Sequence, residues 1–144
     1  MPHLKHFHSI TWVLGLVACT SALAVAPNPI HPGAAVFQAA CASCHALGDK
    51  TTGIAPPAFG MKNHVMKAYP EREAFIAHIV QWTQAPNAAK TLMPGAVRQF
   101  GLMPAIPQLS ATDRRAVAEF LYETAIQEPH WYQSHYEEEH GKKP

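Results

Sequence analysis

One pentapeptide, Cys41-Ala42-Ser43-Cys44-His45, limits what this chain can fold into more than any other stretch. Two thiols separated by two residues, with an imidazole next in line, form the C-x-x-C-H spacing of covalent haem attachment. Chemistry explains the spacing. Thiols three positions apart reach the two vinyl groups on one edge of a porphyrin, and the following imidazole is aimed at the iron from below the ring. Other uses of paired cysteines fit less well. A redox C-x-x-C of the thioredoxin kind needs a βαβ setting, and no alternating, strand-like run flanks the motif. A structural zinc site needs four ligands, and there is no second Cys pair. A plain Cys41–Cys44 disulfide is open to a chain in an oxidising compartment. A chain that holds haem in this way has to fold around a large apolar disc.

The chain has 144 residues, enough for one domain, and 48% apolar with 15% charged residues makes it globular. Its formal charge of +1 carries no basic stripe, so a nucleic-acid partner is not expected. Residues 1–24 read as a signal peptide. Lys5 with His3, His6 and His8 gives a weakly basic start, and residues 10–25 are almost wholly apolar. Ala22-Leu23-Ala24 and Ala24-Val25-Ala26 both resemble cleavage sites, and Pro27 disfavours the second, which points to a cut after Ala24. A retained membrane helix is an alternative, although the apolar run falls short of the ~20 residues a span needs. A third is a lipobox at Leu16-Val17-Ala18-Cys19, with Cys19 lipidated, followed by an unusually apolar 20–26. All three deliver the domain across a membrane, so a periplasmic location is expected, either soluble or anchored by lipid or an uncleaved signal.

Beyond the leader, helical spacing of Val36, Phe37, Ala40 and Cys41 predicts a helix within 31–46, with Pro32 in its first turn. Gly, Pro, Asp and Thr crowd 48–57, which reads as loop. Pro70-Glu71-Arg72-Glu73 opens a second helix with Phe75, Ile76, Ile79, Val80 and Trp82 as apolar positions and Pro86 as its stop. Pro and Gly residues predict a loop over 90–108. Ser110 caps a third helix, with Asp113 at the capping-box position and Val117, Phe120, Leu121 and Ile126 facing inward. Residues 127–144 read as a polar surface tail. The expectation is an all-α domain over 31–126. Loops this long are unusual unless they serve a function, and a buried haem disc supplies one. Two Met-Pro pairs, Met93-Pro94 and Met103-Pro104, offer a second axial ligand, since Met and His are the usual choices and Met raises the potential. A lone Met is otherwise a filler of core gaps.

The chain resembles the class I cytochrome c family. The resemblance rests on Gly33 and Phe37 in a helix running into Cys41–His45, and on Ala55-Pro56-Pro57-Ala58-Phe59-Gly60. It continues with Met103-Pro104, then Leu109-Ser110 and a closing helix bearing Phe120 and Tyr122. It implies a small cytochrome c-like fold, three or more helices and long loops wrapped around one covalently bound haem c. Cys41 and Cys44 would form the thioethers, and His45 and Met103 would be the axial ligands, with Met93 as rival. It also implies that a proline carbonyl accepts a hydrogen bond from the proximal His Nδ1, with Pro57 as first choice and Pro56 as second. Gly33, Phe37 and an aromatic of the last helix would form a helix–helix contact. Trp82 resembles a family Trp that hydrogen-bonds a haem propionate; a buried Trp is otherwise core. The departure is the longer stretch between Met61 and Met103, and Met61 and Met66 are expected in core or surface. Arg98, His64 and His78 read as ordinary polar side chains before they read as haem partners. In the tail, His130, His135 and His140 recur every five residues, ~140° apart on a helix, so they share no face. Trp131, Tyr132 and Tyr136 either dock the tail or bind a partner.

The function implied is single-electron transfer, without enzymatic activity, between redox proteins such as a dehydrogenase, an oxidase or another cytochrome. The alternatives are a haem subunit of a periplasmic oxidoreductase complex and a five-coordinate haem sensor or enzyme. A near-neutral charge argues against strong electrostatic steering to any one partner.

Overall fold

The computed structural model describes residues 30–48 and 52–142; the leader, both cleavage sites and Cys19 lie outside the described residues. Six α-helices and one 3₁₀ turn (Ala88–Lys90) are formed, with no strand among the described residues. They are α1 (Pro32–Ala40), α2 (Ala58–Ala68), α3 (Arg72–Gln84), α4 (Pro94–Phe100), α5 (Ala111–Glu123) and α6 (Tyr132–His140). The expected all-α architecture is present.

The core forms where α5 meets α1 and α3. Gly33 makes the α1–α5 crossing possible, because a Cβ there would lie 1.9 Å from the Ala116 carbonyl oxygen and 2.5 Å from its carbon. Phe37 packs its ring 5.5 Å from that of Phe120. On the other side Phe75, Ile76 and Ile79 of α3 bury against Val117, Ala118 and Leu121. Each large apolar side chain buried in this way stabilises the fold by roughly 1.5–3 kcal/mol. Outside the core, Arg72 and Arg115 link Glu73, Glu119 and Glu123 across α3 and α5. Such exposed pairs add little to stability but fix which faces meet.

Local signals set most of the helix ends. His31 Nδ1 accepts the Gly33 N–H at 3.0 Å and starts α1. Ser110 Oγ accepts the Asp113 N–H at 3.0 Å and starts α5, as its sequence predicts. Asp113 does not complete a capping box; its carboxylate accepts the Ser110 hydroxyl instead, at 2.7 Å. α5 ends at Glu123, so Ile126 reaches the core from the segment after the helix and not from the helix face.

Three expectations need correction. α2 fills a stretch not read as helix, because Pro57, which looks like a breaker, is its N-cap and good helix formers follow. α4 occupies the middle of the expected 90–108 loop. Pro94 belongs in a helix's first turn, and Gly101, at φ 83, ends it in a conformation that favours glycine. The tail, finally, is not simply a polar surface segment. Pro129, Tyr132 and Tyr136 are buried, since tyrosines four apart share one face of α6. That face packs on α2. Tyr132 meets Phe59 edge-on at 4.9 Å, and Lys67 Nζ donates to Tyr136 Oη at 2.9 Å.

Gly33→Ala tests the crossing that holds the core. The added methyl meets backbone that cannot yield, so a loss of about 2–3 kcal/mol is expected from urea denaturation. An unchanged urea midpoint would contradict this account of the packing.

Candidate haem-binding site

α1 ends where the motif begins. The Cys41 N–H still bonds to the Phe37 carbonyl, and the chain then turns, with His45 N–H on the Cys41 carbonyl at 2.8 Å. This turn sets Cys41, Cys44 and His45 along one wall of a cavity of about 320 Å³. That volume lies within the roughly 300–1,000 Å³ of ligand and cofactor sites. Both thiols are free, Cys41 half-buried and Cys44 exposed. Burial and the neighbouring Cys44 push the Cys41 pKa up to about 11, so it stays a thiol.

His45 is 8% exposed, and its Nδ1–H donates to the Pro56 carbonyl at 2.8 Å. A carbonyl only accepts, so the proton is on Nδ1 and Nε2 keeps the lone pair free for a metal. Burial lowers the imidazole pKa, against a smaller opposing effect of the Pro56 carbonyl, and the ring is neutral at neutral pH. The choice of Pro57 as acceptor is therefore corrected to Pro56. Pro57 is the N-cap of α2 and its carbonyl is committed to the Met61 N–H at 3.1 Å. The Ala58 N–H bonds to the Ala46 carbonyl at 3.0 Å, which ties the proline loop to the end of the motif.

The rest of the cavity is apolar. Met61 and Val65 of α2 and Ile79 and Trp82 of α3 line it, and the wall that carries α4 adds Met93, Phe100, Met103 and Ile106. Met93 is the N-cap of α4, and Met103 follows its C-terminal end by three residues. Trp82 is half-buried, with its ring 6.2 Å from that of His78 and nearly parallel to it. His78 also borders the cavity, and burial lowers its pKa.

His64 and Arg98 border a second cavity instead, of about 430 Å³, between α2, α4 and α6. Trp131, Tyr132, His135, Tyr136 and His140 also line it, and Met93 borders both cavities. His64 Nδ1 donates to the Gly60 carbonyl at 2.8 Å. Among the described residues no group of three or more His, Cys, Asp or Glu side chains is placed to hold a metal ion. His130 belongs to the turn before α6 and does not line the second cavity. Sequence reasoning missed the lining roles of Met61, Phe100 and Ile106. The four-residue step from Met61 to Val65 is a helical signal for one of them.

The residues fit a haem. Two free thiols, an imidazole with a free Nε2 and the thioethers of Met61, Met93 and Met103 line one largely apolar cavity. The sequence model of the family described as Cytochrome c matches residues 30–125. A protein of Aquifex aeolicus (strain VF5), described as uncharacterized, is 29% identical over an alignment covering 76% of this chain and 84% of that protein. No solved structure matches the chain. The family match runs from the start of α1 through α5 and takes in both walls of the cavity, and the chain belongs to the cytochrome c family.

Proposed function

We propose that this chain carries single electrons through one covalently bound haem c on the exported side of a bacterial membrane. The observation that carries this reading is one apolar cavity lined by Cys41, Cys44, His45 and Met103 together. Members of the cytochrome c family act in general as haem-based electron carriers with redox proteins as partners. A haem bound here supplies a one-electron iron couple, and the chain supplies attachment, orientation and a dry setting.

Cys41 and Cys44 would hold the group through thioethers. His45 presents Nε2, and the Pro56 carbonyl on Nδ1 fixes the ring and strengthens it as a donor. Met103 would be the second protein ligand. Ile106, three residues on, is tied to α3 and α5, whereas Met93 also forms part of the second cavity's wall. Trp82 borders the cavity at a position suited to a propionate. Cys44 is exposed, so the thioether edge of the site faces the surface, where a partner can approach. The partners are periplasmic redox proteins, and the 1–24 leader exports the domain.

Three measurements test this reading. The ferric holoprotein is expected to show a sulfur–iron band near the red end of its visible spectrum. Met103→Ala should remove the band and Met93→Ala should keep it; the reverse pattern transfers the ligand to Met93. His45→Ala is expected to leave haem tethered but to abolish reversible titration near the parent potential, and an unchanged redox titration refutes the proximal assignment. A pyridine haemochrome assay should find one haem c per chain in periplasmic or membrane fractions, and cytoplasmic holoprotein alone overturns export.

A further inference from the structure

α5 carries a buried cation that the cavity does not touch. Arg114, in the first turn of the helix, is 6% exposed. It forms no salt bridge among the described residues, although Arg115 beside it pairs with Glu73 and Glu119. Instead both guanidinium ends converge on one acceptor. Nη1 donates to the Ile106 carbonyl at 3.1 Å and Nη2 at 2.8 Å. Desolvating a guanidinium is costly and is offset only when its N–H groups are well hydrogen-bonded, as they are here on the Ile106 carbonyl.

What it holds is the end of a strap. Ile106 is buried, borders the cavity and lies three residues past Met103. Its N–H donates to the Thr83 carbonyl of α3 at 3.1 Å. One residue is thus fastened to α3 through its N–H and to α5 through its carbonyl. The other end of the strap is α4, which has no buried residue. α4 itself adds nothing to the core, Leu92 packs against the core at the end that bears Met93, and the attachment beside Met103 is the buried Ile106.

We propose that Arg114 is a positioning residue for the distal side of the haem site, clamping Ile106 so that Met103 stays over the cavity and outside molecules are kept from the iron. The role of Met103 in this statement rests on the ligand reading above. Without the clamp the strap opens more often, and a small ligand reaches ferric iron at a rate set by that opening.

The test uses the full-length ferric holoprotein with imidazole as probe. Arg114→Met removes every donor while keeping an apolar side chain of similar reach, and Arg114→Lys keeps the charge but not the paired N–H groups. Arg115→Met on the same helix is the control. Imidazole binding is expected to be roughly tenfold faster in Arg114→Met, with a weakened red sulfur–iron band. Arg114→Lys should be intermediate, Arg115→Met unchanged, and helical circular dichroism retained throughout. Parental imidazole rates and an undiminished band in both Arg114 variants would overturn the proposal. If Met103→Ala keeps the band, the ligand reading has failed, and the imidazole rates still decide whether Arg114 holds the strap. Should the Arg114 variants fail to load haem, hydrogen exchange in the parent decides. The Ile106 amide should exchange as slowly as the Leu121 amide in α5, and exchange as fast as the α4 amides refutes the clamp.

Discussion

Where α1 crosses α5 the two backbones approach so closely that only a hydrogen fits on Gly33. This contact fixes the direction in which α1 ends, and α1 ends in the Cys41–His45 turn. A pair of thiols can attach a rigid disc only if they emerge at a defined place and angle, so the crossing decides where the cavity lies. α3 packs on the same helix, and its Ile79 and Trp82 become the cavity's far lining. Core packing and cofactor site therefore share α5 as their common reference, although α5 does not line the cavity.

The rest of the lining comes from α2 with the proline loop before it and from α4 with the segment after it, and each is joined to this frame by polar bonds. On the proximal side the Pro56 carbonyl takes the His45 Nδ1–H, and the Ala46 carbonyl takes the Ala58 N–H. On the distal side Ile106 bonds to Thr83 and Arg114. In apolar surroundings such bonds are stronger than in water, and leaving one unmade costs more. A few of them can thus hold long segments that have little core of their own. The proximal tie acts on His45 directly, and the distal tie acts three residues away from Met103.

Local signals made part of this legible in the sequence. The motif spacing, the 3.6-residue periodicity of Phe75, Ile76 and Ile79, and the Ser110 cap all depend on neighbours in the chain. α2 and α4 were hidden because Pro57, Pro94 and Gly101 read as loop markers, whereas each marks a helix boundary. Pro56 and Pro57 are chemically alike, and only the start of α2, which consumes the Pro57 carbonyl, tells them apart. Arg114 and Arg115 are adjacent and identical. Which one is buried depends on the rotation of α5 against the strap, a tertiary fact. In the tail, two tyrosines on one face are a small apolar signal in a polar run, and the α2 surface they meet had not been read as a helix.

The paired methionines follow from the same geometry. α4 is a seven-residue spacer with a Met-Pro at its start and another just past its end. At 1.5 Å per residue the helix between them is roughly 10 Å long. A haem iron held by His45 would offer one position opposite it, so at most one of the two thioethers would be its ligand. The Met93 N–H bonds locally, to Thr91 Oγ1 at 3.1 Å, and Met93 borders both cavities. Met103 borders the first cavity alone and sits beside the residue held by both α3 and α5. A ligand that must keep its distance to iron through both oxidation states needs the firmer support. That support favours Met103 for the place opposite His45, and it leaves Met93 between the first cavity and the aromatic space under α6.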